Sequence, residues 1–138
     1  MDDRTCISFD RTLETGYPEI DDPHRELFDH LDRLLAASRE RRTREEVARM
    51  VSFLGDYVVH HFAAEERLMA LSDDPEAGPH RAEHARFVRE FGALSREFTR
   101  DGPSPDFIIR LVNRVTSWLR QHIYRTDRAL VEHLKSRC

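Results

Sequence analysis

The sequence predicts an all-α fold, an up-down-up-down antiparallel four-helix bundle preceded by an N-terminal arm, and three observations predict it. Apolar residues recur at helical spacing in four separate segments. Only 5 glycines and 6 prolines are present, too few for a turn-rich β architecture. The stretches that divide the segments are short, and short connections make consecutive helices antiparallel neighbours. At 138 residues the whole chain, 1–138, fits one domain.

The arm covers 1–20, with "ETGYPEI" read as a loop. The first helix spans about 22–40: Asp22 is placed to cap it, Pro23 suits the first helical position, and Leu27, Phe28, Leu31, Leu34 and Leu35 supply the apolar face. The second spans about 44–71. Thr43 and Glu46 form a capping box, and Val47, Val51, Leu54, Val58 and Phe62 follow at helical spacing. The third, about 79–100, carries Phe87, Phe91, Leu94 and Phe98 and stops at "RDGPSP". The fourth, about 105–135, opens with Ser104 as cap and Pro105 beside it, then repeats Phe107, Ile108, Leu111, Val115, Trp118 and Leu119.

Composition narrows the function. A net charge of -4 argues against a nucleic-acid partner. No apolar run approaches the roughly 20 residues of a membrane span, and the start lacks a basic region followed by an apolar one, so a cytoplasmic protein is expected. Cys6 and Cys138 stand at opposite ends without CxxC spacing and read as incidental thiols.

Eight histidines remain to be explained. In "HHFAAEERLM" His61 and Glu65 lie one helical turn apart on one face; in "HRAEHARF" so do His80 and His84, the usual way a helix offers a metal two ligands. In "WLRQHIYRTD" His122 and Asp127 are five apart, about 140° round an α-helix, an offset suited to ligands reaching different sides of one site. His24 opens the first helix. Each alone reads equally well as a solvated helix position. In an antiparallel bundle, however, the starts of the first and third helices meet the later parts of the second and fourth, so all seven side chains reach one end of the core. His30, His60 and His133 fall outside this arrangement and are assigned to the surface.

With these motifs in this order, the sequence resembles the hemerythrins over about residues 9–130. "IDDPHRELF" is similar to the family's first-helix motif, "HHFAAEERLM" to its HFxxEE motif, "HRAEHARF" to its HxxxH motif and "WLRQHIYRTD" to its HxxxxD motif. The resemblance implies a di-iron centre: His80, His84 and His122 on one iron, His24 and His61 on the other, Glu65 and Asp127 bridging both. It also implies an apolar O2 pocket at Phe62, Trp118, Leu119 and Ile123, residues that plain core packing would equally require. Phe9, where Trp is common, Pro23 before the first ligand, and Pro79 before His80 depart from the pattern.

Counting coordination positions points to oxygen. Two octahedral irons offer about twelve positions; five imidazoles, two bridging carboxylates and one oxo or hydroxo bridge leave a single opening, on the iron with two histidines. A site with few anionic donors stabilises high-valent iron less well than the Glu-rich sites of ferritin-like proteins. The expectation is reversible O2 binding for transport, storage or delivery, and not catalysis beyond weak peroxidase or oxidase activity. The alternatives are an oxygen or iron sensor acting through a partner, and a di-iron peroxidase or oxidase with Glu66 or Tyr124 as proton donor.

Overall fold

A computed structural model describes residues 13–40, 42–102 and 104–136. Cys6, Phe9 and Cys138 lie outside the described residues. Helix α1 runs Pro18–Arg39, α2 Arg44–Leu71, α3 Ala77–Asp101 and α4 Pro105–Gln121; a π-helical segment, His122–Asp127, then leads into α5, Arg128–Ser136. Helix α1 packs on α2 and α4, α2 on α3, and α3 on α4, the neighbour order of an up-down-up-down bundle. No described helix is long and apolar enough to cross a membrane.

Local chemistry sets the boundaries. The Thr43–Glu46 capping box forms in both directions, and the Ser104 hydroxyl accepts from the Phe107 amide. Helix α1 starts earlier than Asp22 suggested. Pro18 takes the first turn, so Pro23 lies inside the helix, where a missing N–H and a ring are harder to accommodate. The organising carboxylate is the neighbouring Asp21. Buried, it accepts from the Thr15 amide at 3.0 Å, the Gly16 amide at 2.9 Å and the Thr15 hydroxyl at 2.7 Å, turning the chain back onto α1. Gly16 makes that reversal at φ +83°, a region that side chains with a Cβ avoid. Helix α3 likewise begins at Ala77, two residues before Pro79.

The core divides into two clusters. The larger, including Leu27, Leu31, Leu54, Val58, Phe62, Phe87, Leu111, Leu119 and Ile123, fills most of the bundle. The smaller consists of Ile20, Met69, Leu130 and Val131, with Tyr17, Leu68, Ala77 and Leu134 packed against it. Along each arm of the bundle the candidate ligands fall between the two: His24 between Ile20 and Leu27, His61 and Glu65 between Val58 and Met69, His80 and His84 between Ala77 and Phe87, His122 and Asp127 between Leu119 and Leu130. His133 is not a free surface residue; it is half-buried and its Nε2 donates to the Ser72 carbonyl at 2.8 Å, closing the end of α2. His30 packs half-buried against Phe53, while His60 is exposed.

Two glycines test the packing between α2 and α3. A Cβ on Gly55 would meet Phe91 Cε2 at 2.8 Å, whereas nothing lies within 4 Å of one on Gly78. Gly55→Ala should therefore destabilise, overpacking at about 1–3 kcal/mol outweighing the gain of up to about 1 kcal/mol in helix propensity. Gly78→Ala should stabilise by a few tenths to about 1 kcal/mol. Urea denaturation midpoints of the two variants should move in opposite directions.

Candidate metal centre

Seven side chains expected from the sequence converge between the two clusters, each no more than 4% exposed. They form two donor groups, His80, His84 and His122 in one, His24 and His61 in the other; Glu65 and Asp127 belong to both, and the donor atoms of each group lie within 4.8 Å of one another. Each shared carboxylate divides its oxygens. Glu65 Oε2 faces His61 Nε2 at 2.7 Å and His24 Nε2 at 3.4 Å, while Oε1 faces His84 Nε2 at 3.1 Å and His80 Nε2 at 3.4 Å. Asp127 Oδ2 stands 3.1 Å from His24 Nε2, and Oδ1 stands 3.0 Å from His80 Nε2 and 3.1 Å from His122 Nε2.

Such closeness does not amount to hydrogen bonding. His61 Nε2, His80 Nε2 and all four oxygens of Glu65 and Asp127 are buried without a hydrogen-bond partner. Leaving that many polar atoms unsatisfied in a core is costly. Nitrogens and oxygens about 3 Å apart yet misaligned for hydrogen bonds direct their lone pairs at common points between them, the arrangement a coordinated cation requires. The donor set fits iron: imidazole and carboxylate without thiolate.

The pairing of His122 with Asp127 corrects the α-helical extrapolation. An α-helix would have turned them apart, but the π segment, whose hydrogen bonds run i→i+5, stacks residues five apart on one side, so both enter the same layer of the core.

Around the donors lies a second set of contacts. His122 Nδ1 donates to Glu83 Oε1 at 2.7 Å, and Thr126 Oγ1 donates to the same carboxylate at 2.9 Å; His84 Nδ1 donates to Glu66 Oε2 at 2.9 Å. These bonds fix which imidazole nitrogen faces the site. Glu83 and Thr126 escaped the sequence reading, although a carboxylate beside His84 and one turn after His80 is the available signal. Glu66, a candidate proton donor, is committed to His84. Tyr124, the other, is exposed, with the Arg128 guanidinium 4.5 Å over its ring.

The expected pocket residues separate. The Phe62 ring stacks on His84 at 3.8 Å and 4°, and Trp118 on His122 at 4.4 Å and 14°, so these two wall the three-histidine group. Leu119 and Ile123 are buried in the larger core cluster.

Electrostatics in the metal-free chain follow from the two carboxylates. Burial disfavours charge on every imidazole, yet Asp127 and Glu65 outweigh it, raising His24 and His80 to about 9 and His122 to about 10. Burial also opposes charge on the carboxylates, but the imidazoles hold Glu65 and Asp127 well below the usual carboxylate range. Its bond from His122 lowers Glu83 as well.

Known proteins resemble this chain in sequence and in fold. Residues 15–134 match the family described as the hemerythrin HHE cation binding domain. A bacteriohemerythrin of Stenotrophomonas maltophilia is 27% identical over 124 residues, 90% of this chain and 78% of the relative. One of Methylococcus capsulatus is 30% identical over 110 residues, 78% of this chain and 80% of the relative. Among solved structures, a wild-type hemerythrin superposes with a TM-score of 0.73 at 28% identity, covering 83% of this chain and 86% of that one. A mutant hemerythrin gives 0.77 at 27%, covering 87% and 89%. The match over nearly the whole helical bundle shows that this chain belongs to the hemerythrin family.

Proposed function

We propose that the chain binds two irons and, through them, O2 reversibly, serving to carry, store or deliver oxygen. His80, His84 and His122 would hold one iron and His24 and His61 the other, with Glu65 and Asp127 shared between the two groups. The observation that carries this reading is the division of each carboxylate, one oxygen toward each histidine group. When bound, the metal pair supplies electrons and an open position for O2.

The chain's own residues do the rest. Glu65 and Asp127 offset positive charge that would otherwise be buried. Glu83 and Glu66 hold His122 and His84 with Nε2 facing inward. Phe62, Trp118, Leu119 and Ile123 keep water from the centre, which favours reversible binding over irreversible oxidation. Turnover of a peroxide would need a proton donor at the two-histidine side, and the commitments of Glu66 and Tyr124 favour carriage over catalysis. We assign the chain to the cytoplasm, where reducing conditions keep Cys6 and Cys138 as thiols.

The direct test is iron analysis and optical spectroscopy of protein loaded with ferrous iron under argon. The expected result is two irons per chain and a visible absorption that appears with air and disappears on deoxygenation over repeated cycles. Absorption that appears once and never reverses defeats the carrier reading.

The bridges should matter more than single terminal ligands. Glu65→Ala should lose both irons, whereas His61→Ala should retain the iron of the three-histidine group; Glu65→Ala protein with two irons and an unaltered spectrum would show that Glu65 does not bridge.

Protons provide a third test. His24, His80 and His122, at about 9, 9 and 10 in the metal-free chain, are protonated at pH 7, whereas coordination requires each neutral. Loading should therefore release a proton from each of these three at pH 7 and progressively fewer as pH rises through 9 to 10, read with an indicator dye in weak buffer. The same shifts fix the sign for stability without metal. The stabilisation from these charged imidazoles is complete below their unfolded value near 6.5 and is lost as pH rises through 9 to 10.

A further inference from the structure

We propose that the groove between α3 and α4 over His122 is the docking surface through which an acidic one-electron redox protein reduces the metal centre, with Trp118 as the point of entry. The inference rests on the di-iron reading above and adds to it a partner and a route.

Charge is unevenly divided along the chain. Residues 1–76 carry 10 Lys and Arg against 19 Asp and Glu, a net -9; residues 77–138 carry 12 against 7, a net +5, and together they make the overall -4. Helices α3 and α4, the π segment and α5 all come from the basic part. At the groove that basic character is concentrated beside the ligands. A cavity of about 160 Å³ is lined by Glu83, Arg86, Trp118, Gln121, His122 and Arg125, among others, and Arg110 and Arg114 line a second one farther along the two helices. Arg86, Arg114 and Arg125 are exposed. An acidic surface would be drawn to such a groove by attraction to the arginines at close range.

Trp118 gives the groove a connection to the interior. Half-buried, its indole reaches the cavity on one side and lies nearly parallel to the His122 imidazole at 4.4 Å on the other. Glu83, in the same cavity, holds His122 in place at 2.7 Å. A donor seated here would reach the His122 imidazole, which would hold iron, through the stacked ring of Trp118. In each transfer the partner's reduced carrier, an iron–sulfur cluster or flavin, would lose one electron, and iron held by the donor layer would be the group that gains it.

Trp118 is the chain's one tryptophan, so its fluorescence reads the surface without any iron. In metal-free protein at low ionic strength, iodide should quench Trp118 several-fold more strongly than caesium. Arg86→Glu with Arg125→Glu should reverse that order, and Arg100→Glu, far along α3, should not. In iron-loaded protein, reduction by an acidic plant-type ferredoxin should slow about tenfold in the double variant, change less than twofold in Arg100→Glu, and lose the difference in high salt. Trp118→Leu should slow reduction while keeping the salt dependence. Equal iodide and caesium quenching, an unaltered rate in the double variant, or an unaltered rate in Trp118→Leu overturns the proposal. Salt-sensitive dimers in sedimentation would identify the acidic half of a second copy as the occupant and also overturn it. Failure of the parent to hold iron would defeat the di-iron reading instead, with the quenching result standing apart. Circular dichroism checks that each variant is folded.

Discussion

Two ionised carboxylates buried at the centre of a helical bundle are the constraint from which the rest follows. Glu65 and Asp127 are each about 1% exposed or less, and charge that deep persists only where opposite charge meets it. In the metal-free chain His24, His80 and His122 supply this, and they come from α1, α3 and the π segment. The helices must therefore bring particular turns into register, with donor atoms 2.7 to 3.4 Å apart. Capping residues fix where α2 and α4 begin, Asp21 fixes the approach to α1, and apolar clusters on either side hold the layer in place. The fold and the candidate centre are thus one problem in electrostatics, since the arrangement that satisfies the carboxylates also groups the candidate donors.

The surroundings of the two donor groups differ. The three-histidine group is backed by Glu83 and Glu66 and walled by Phe62 and Trp118, with cavities opening toward solvent beside His80 and His122. In the two-histidine group His61 Nδ1 is buried and makes no hydrogen bond. Carboxylates behind imidazoles strengthen them as donors. His84 and His122 are accordingly the imidazoles with a carboxylate behind them, and their side of the donor layer lies beside the cavities.

Much of this was legible in the sequence, for identifiable reasons. Helical periodicity and caps reveal four helices because burial and backbone satisfaction are local requirements. The convergence of His24, His61, Glu65, His80, His84, His122 and Asp127 followed from antiparallel topology and the i,i+4 spacing of two pairs. The remainder depends on geometry that periodicity does not encode. The α-helical angle between His122 and Asp127 failed because the backbone changes to π hydrogen bonding there. Thr126 meets Glu83 across two helices for the same reason. Asp21 outranks Asp22 as the organiser of α1 through contacts with Thr15 and Gly16, which precede the helix, and His133 finds a carbonyl on a helix distant in sequence.

The unequal size of the two apolar clusters has a kinetic consequence. Local opening costs least where the fewest apolar contacts must be given up. That place is the small cluster of Ile20, Met69, Leu130 and Val131, held with the Asp21 clamp and the bond from Lys135 Nζ to the Thr15 carbonyl. Fraying there uncovers the donor layer while the large cluster keeps all four helices assembled. The bundle thus behaves as two cooperative units of different strength, a durable body and a weaker end-plug, and exchange of its contents with solvent is governed by the weaker one.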